Sequence, residues 1–286
     1  MSTSSNPVPR LLSASTKHYG RYGDFSDFAT QSSGHASVGS KNLGKITIDC
    51  EFLFEKSRWG VLGNKQFPAG IIYLNLNFGP PQGCRVKSAT ISITLDENDP
   101  ALERHKTTRK LHPSGCPVQV TAWYGPKELK GQIKTAHVEA TKKFVPEVNA
   151  LGNSAGGLGY ESKKLSKREA CWSFNSQILP GKDTWAYKTL RWDLNENKLE
   201  RQAFHSSTFR TAFAFEHSGQ PFLMRVQIDG KLESWNDRVK SKLKFGSSRD
   251  REHSVVTLLD FKDYKLYTKN LYKAATVDQI LPSANI

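Results

Sequence analysis

TFRTAFAFEHSGQPFLMRVQIDGKL, residues 208–232, decides how this chain is read. Phe209, Phe213 and Phe215 alternate with Arg210, Ala212 and Ala214 at a period of two. After Ser218-Gly219-Gln220-Pro221, a second run begins. Phe222, Met224, Val226 and Ile228 alternate there with Leu223, Arg225, Gln227 and Asp229. Two alternating runs joined by a short Gly-containing connection predict a β-hairpin with one buried face. Pro221 is tolerated at a strand start, where its missing N–H is not needed by the ladder. The stretch defines the centre of a β-rich core and leaves the activity open.

Working outward, the same period recurs. Ile46, Ile48, Cys50, Phe52 and Phe54 alternate with Thr47, Asp49, Glu51 and Leu53. The same spacing links Ile72, Leu74, Leu76 and Phe78, and Ala89, Ile91, Ile93 and Leu95. With the Gly79-Pro80-Pro81-Gln82-Gly83 turn between the last two, these runs predict a three-stranded antiparallel meander. Further runs begin at Cys116, Ala170, Leu190 and Val255, and His137–Val148 reads as an edge strand because it contains Pro146. Residues 56–68 read as a loop anchored by Trp59. No strong amphipathic helix separates the strands, which argues against a parallel α/β sheet. The expected fold is all-β and mainly antiparallel: a two-sheet β-sandwich with long loops and a short C-terminal helix. The expected division is a disordered or loosely packed arm over 1–42, a sandwich domain over 43–262, and a tail, helical in part, over 263–286.

Composition bounds the class. The 286 residues are 37% hydrophobic, 24% charged and 10% aromatic, enough to bury a sizeable core. No apolar run approaches the ~18 residues of a membrane span. The N-terminus has no secretory apolar segment, and no Asn-x-Ser/Thr site occurs, so a cytoplasmic or nuclear location is expected. Cys50, Cys84, Cys116 and Cys171 form no CxxC pair and read as reduced thiols. The formal charge of +14 favours an anionic partner, whether nucleic acid, phospholipid headgroup or acidic protein.

AGIIYLNLNFGPPQGCRVKSATISITLDEN (69–98), LPGKDTWAYKTLRWDLNENKLE (179–200) and TAFAFEHSGQPFLMRVQIDGKL (211–232) resemble stretches of β-rich proteins from filamentous ascomycete fungi. The similarity covers most of residues 45–232. That family has no assigned chemistry. The resemblance implies an intracellular β-rich fold and carries over no catalytic or binding residue.

No linear catalytic motif is present. Residues 152–159 (GNSAGGLG) are Gly-rich but lack both the P-loop order and the GxGxxG spacing, and Asp183 replaces the hydroxyl residue after Gly181-Lys182. His105, His112 and Cys116 supply too few donors for a metal, and Asp96–Asp99 reads as a solvated strand end. No cofactor or metal is expected. The strongest signals are basic: Arg104, Lys106, Arg109 and Lys110 in a loop; Lys163, Lys164, Lys167 and Arg168 ahead of a strand; and the run from Arg238 to Lys244. Cations on loops can neutralise phosphates. The last run also fits an edge strand guarded by lysines.

The expected function is therefore non-enzymatic binding of an anionic partner through Arg104, Lys106, Arg109, Lys110, Lys163, Lys164 and Arg168. The alternatives are a carbohydrate-recognising module stacking sugars on Trp123, Tyr124 and Trp185, and an enzyme whose site assembles only in three dimensions.

Overall fold

The computed structural model describes residues 21–24, 35–43, 46–79, 86–100, 102, 116–144, 160–197, 199, 206–232, 254–260 and 268–276. Over 21–24, 137–144, 160–166, 168 and 254 it describes the backbone alone. Among the described residues, fifteen strands run in chain order. They are β1 (Arg21–Asp24), β2 (His35–Leu43), β3 (Ile46–Leu53), β4 (Arg58–Leu62), β5 (Phe67–Gly79), β6 (Val86–Asp96), β7 (Gln119–Gly125), β8 (Glu128–Lys130), β9 (Lys134–Phe144), β10 (Tyr160–Ala170), β11 (Ser173–Pro180), β12 (Tyr187–Asn195), β13 (Thr208–Glu216), β14 (Phe222–Leu232) and β15 (Ser254–Leu259). One helical turn, α1 (Tyr272–Ala275), follows.

Two sheets face each other. The first has seven strands in the order β1-β15-β14-β6-β12-β11-β8, and the second has six, β2-β3-β5-β13-β7 with β4 paired to β5. All pairings are antiparallel except β1 with β15. The alternation read from the sequence supplies the core. Ile91, Ile93, Leu190, Trp192, Met224 and Val226 of the first sheet meet Ile48, Cys50, Phe52, Leu74, Phe213 and Phe215 of the second, all buried. The all-β sandwich expected from periodicity is the observed fold.

The pairing inside it differs from expectation at two places. Residues 208–232 are not a hairpin: β13 pairs with β5 and β7, whereas β14 pairs with β15 and β6. The connection crosses from one sheet to the other as an arch. His217, buried, donates its backbone N–H to the Pro68 carbonyl and accepts from the Gly219 N–H at Nδ1. Gly219 sits at φ 84°, where a side chain would be strained. The apolar faces of β13 and β14 thus oppose each other across the core instead of lying side by side. The expected meander breaks in the same way, because β3 pairs with β5 while β6 belongs to the other sheet.

Three further segments are more ordered than their composition suggests. Residues 35–43, expected within the arm, form β2 on the edge of the second sheet, with Val38 and Leu43 in the core. Residues 58–62, expected as loop, form β4, and Trp59 does anchor there, edge-on to Phe215 with ring centroids 6.4 Å apart. Residues 269–275 strap the outer face of the second sheet. Val61 N–H donates to the Lys269 carbonyl, Leu271 N–H returns a bond to Val61, and Leu271 and Ala275 bury against Leu62, Ile71, Ala212 and Ala214. Gly60 makes this possible, since a Cβ there would lie 2.0 Å from the Lys269 oxygen. Both faces of β13 are therefore covered, which explains its alanines.

Met224 is fully buried among these inward residues. An aspartate there has no cation to meet, and an unpaired buried charge costs about 3–5 kcal/mol. Met224→Asp is expected to unfold the sandwich at room temperature, measured as loss of the cooperative urea transition by circular dichroism. Gln227→Ser, exposed on the other face of the same strand, is expected to keep it.

Candidate functional site

β8, β9, β10 and β11 form one long antiparallel ribbon. β8 and β11 pair at the edge of the first sheet, Lys130 opposite Ser173. After three intervening residues on one side and two on the other, pairing resumes with Lys134 opposite Ala170 and continues without a register shift to Phe144 opposite Tyr160. Among the described residues, strands β9 and β10 pair only with each other. Eleven residues at ~3.3 Å each give this part a length of about 35 Å.

The base of the ribbon is fixed by packing. Gly131 N–H donates to the Trp172 carbonyl at 3.0 Å, and the Trp172 indole covers Gly131 so closely that a Cβ would meet its Nε1 at 2.2 Å. Trp172 is buried and lies edge-on to Phe209, centroids 5.9 Å apart. Phe209 in turn stacks on Phe174 of the first sheet at 4.4 Å and 4°. An isolated two-stranded ribbon is marginal in water, so this anchor determines where the ribbon starts and in what register.

Register sorts the charges. In an antiparallel pair, opposite residues share a face and successive residues alternate. Even-numbered positions of both strands therefore form one face: Lys134, Lys142, Lys164 and Arg168 among Ala136, Val138, Ala140, Ser162, Ser166 and Ala170, with Phe144 and Tyr160 at the far end. No acidic residue falls on it. The odd face holds Lys143, Lys163 and Lys167 against Glu139, Glu161 and Glu169, and is neutral. Lys167 and Glu169 are ion-paired there at 2.8 Å.

The structure thus corrects the sequence reading of Lys163, Lys164 and Arg168, which lie in strand β10 and not in a loop before a strand. It also divides them: Lys164 and Arg168 share the basic face, whereas Lys163 is on the neutral one. Arg104, Lys106, Arg109 and Lys110 lie outside the described residues. The chain departs toward them after Asp96 and returns through Cys116–Val118, at the end of the first sheet marked by Leu179, Thr189, Thr94 and Arg225. The ribbon joins at the other end, marked by Ser173, Asn195, Ser88 and Lys231. The run from Arg238 to Lys244 is also outside the described residues.

The aromatic residues do not make one shelf. Trp123 packs on the outer cluster under Tyr272, centroids 5.8 Å apart. Its neighbour Tyr124 packs on the inner core and carries the Lys127 ammonium 2.8 Å from its ring centroid. The two rings serve opposite faces of the sheet. Burial also pushes the Lys127 amine down to about 8. Trp185, in the turn between β11 and β12, is 98% exposed.

Two polar clusters are built on carboxylates, and the second corrects the reading of Asp96–Asp99 as a solvated strand end, since Glu97 meets Lys188 and Asp99 meets Arg225. On the outer face of the second sheet, Glu51 accepts from Asn75 at 2.8 Å and meets His35 at 2.8 Å. Burial works against its charge, but the bonds from Asn75, His35 and Asn77 prevail and hold its carboxyl below the usual range. At the Trp185 end, the buried Lys188 ammonium donates to Glu97 at 2.6 Å and to the Val118 carbonyl. Nearby, burial and the Glu216 carboxylate push the Cys116 thiol up to about 11, and Cys50 is raised further by burial. Neither thiol is a nucleophile at neutral pH. These clusters tie strands together. No helix among the described residues is long and apolar enough to cross a membrane.

No protein-family model and no curated protein matches this chain.

Gly131→Val forces the Trp172 indole off its seat. The expected result is faster amide exchange across 134–144 and 160–170, by at least about tenfold (about 1–3 kcal/mol of overpacking). The amides of β6 and β14 are expected to keep their protection. Equal exchange in ribbon and core would mean that Trp172 does not set the ribbon.

Proposed function

We propose that the protein is a non-enzymatic binding protein that meets an anionic partner inside the cell through the even face of the β9–β10 ribbon. The observation that carries this reading is the segregation of charge by register. Lys134, Lys142, Lys164 and Arg168 fall on one face without a carboxylate, while the carboxylates of the same strands fall on the other. A ribbon built only for solubility needs no such sorting. The net charge of +14 acts in the same direction over longer range.

The mechanism is counterion release. Each phosphate or sulfate neutralised by a Lys or Arg frees condensed cations, so affinity falls steeply with salt. Positions between the cations are small, which lets the ammonium and guanidinium groups approach a polyanion backbone without a bulky side chain intervening. For the carbohydrate reading, Trp185 alone offers a sugar a single stacking surface, since Trp123 and Tyr124 face opposite ways. For an enzyme, the raised thiols of Cys50 and Cys116 offer no activated nucleophile.

The test compares two variants of the full chain on heparin and on a nucleic-acid duplex. One replaces Lys134, Lys142, Lys164 and Arg168 by Ser; the other replaces Lys143, Lys163 and Lys167. Four lost phosphate contacts are expected to flatten the slope of log affinity against log salt by about 3–4. The odd-face variant is expected to change it by less than about 1. Equal losses from the two variants, or a parent that binds neither polyanion at low salt, would overturn the reading.

A further inference from the structure

Resting on that reading, we infer that the partner is B-form duplex DNA and that the even face of the ribbon enters its major groove. The argument is one of shape added to charge. The B-form major groove, about 12 Å wide and about 8.5 Å deep, admits a two-stranded β-ribbon. The strands of such a ribbon lie about 4.8 Å apart.

Along the ribbon the cations occur as two ranks. Lys134 and Arg168, the latter opposite Ala136, form the rank nearer the sandwich; Lys142 and Lys164, the latter opposite Ala140, form the outer one. Six residues separate the midpoints of the ranks, or about 20 Å at the rise of a strand. Each rank places one cation on each strand, Lys134 and Lys142 on β9 and Arg168 and Lys164 on β10, so a ribbon lying along the groove brings one row of cations beside each phosphate rim. Between the ranks the same face presents only Val138 opposite Ser166, flanked by Ala136 and Ala140. Small residues hold the positions between the ranks, which lie over the groove floor. They carry no Arg, Asn or Gln for reading base edges, so contact is to the backbone with little sequence preference.

The same features argue against other polyanions. A-form RNA has a deep, narrow major groove that a ribbon does not enter. Single strands are held by interleaved aromatic platforms, and this face has aromatic residues only at Phe144 and Tyr160, beyond the outer rank. A membrane surface is gripped by large apolar residues set among the cations, where this face has Ala, Ser and a single Val.

The decisive variant adds bulk without altering charge. Ser166→Trp fills the centre of the even face, and Thr141→Trp adds the same ring to the odd face as a control. Binding is measured by fluorescence anisotropy on a DNA duplex, an RNA duplex and a single strand of equal length, with heparin and anionic phosphatidylserine vesicles alongside. The parent is expected to prefer the DNA duplex over the RNA duplex and the single strand by about tenfold or more. Ser166→Trp is expected to remove that preference and leave heparin binding intact, while Thr141→Trp changes neither. Methyl green, a major-groove ligand, is expected to compete where netropsin, a minor-groove ligand, does not.

Parity among the three nucleic acids, tighter binding to vesicles, or an unaffected Ser166→Trp variant would overturn the groove inference and leave the polyanion reading standing. Failure of the parent on heparin and on every nucleic acid would remove both. Circular dichroism of each variant checks that the sandwich is retained.

Discussion

The ring of Phe209 is the contact on which the rest of the structure depends. It belongs to the second sheet, stacks at 4.4 Å on Phe174 of the first, meets Phe78 of its own sheet edge-on at 5.6 Å, and supports Trp172 at 5.9 Å. One side chain therefore ties sheet to sheet and both to the base of the ribbon. Aromatic pairs of this kind contribute about 0.5–1.5 kcal/mol each beyond the area they bury. Trp172 then covers Gly131, and that contact fixes the point at which the chain leaves the sandwich. Packing at the core end of the ribbon thus determines which side chains its outer part displays.

Much of the fold was legible in the sequence because burial on one face leaves a period-two trace. Ile46–Phe52, Ile72–Phe78, Ala89–Leu95 and Phe222–Ile228 are all inward in the order the alternation gives. Pairing was not legible for 208–232. A hairpin and an arch leave the same alternating trace, since each buries one face of two successive strands. The cue that separates them lies in the outward residues: Ala212 and Ala214 are covered by the C-terminal strap and Leu223 packs with Val256 and Leu258, so neither strand has a wet face throughout. β2 was missed for another reason. HASVGSKNL places only Val38 and Leu43 in the core, and the bulge between Ser37 and Gly39 shifts its period.

The site was half legible. Lys163, Lys164, Lys167 and Arg168 stood out as a cluster, but a cluster in one strand has no face until its partner is known. The available signal was the two charged runs of equal length, 134–144 and 160–170, each able to pair with the other. Pairing 134–144 with 160–170 would have sorted the cations at once. The aromatic shelf failed because adjacent residues in a strand point apart, which Trp123 and Tyr124 were bound to do.

Everything proposed for the ribbon rests on its register, because a slip of one residue exchanges the faces of one strand. With β10 slipped by one, Glu161, Lys163, Lys167 and Glu169 would join Lys134 and Lys142, and the separation of acids from bases would be lost. The most direct measurement is the pattern of cross-strand nuclear Overhauser contacts along β9 and β10. The account predicts that contacts connect Ala136 with Arg168, Val138 with Ser166, Ala140 with Lys164 and Lys142 with Ser162 as opposite pairs. Contacts that instead set Val138 opposite Leu165 or Lys167, and so mixed acids into the basic face, would contradict it.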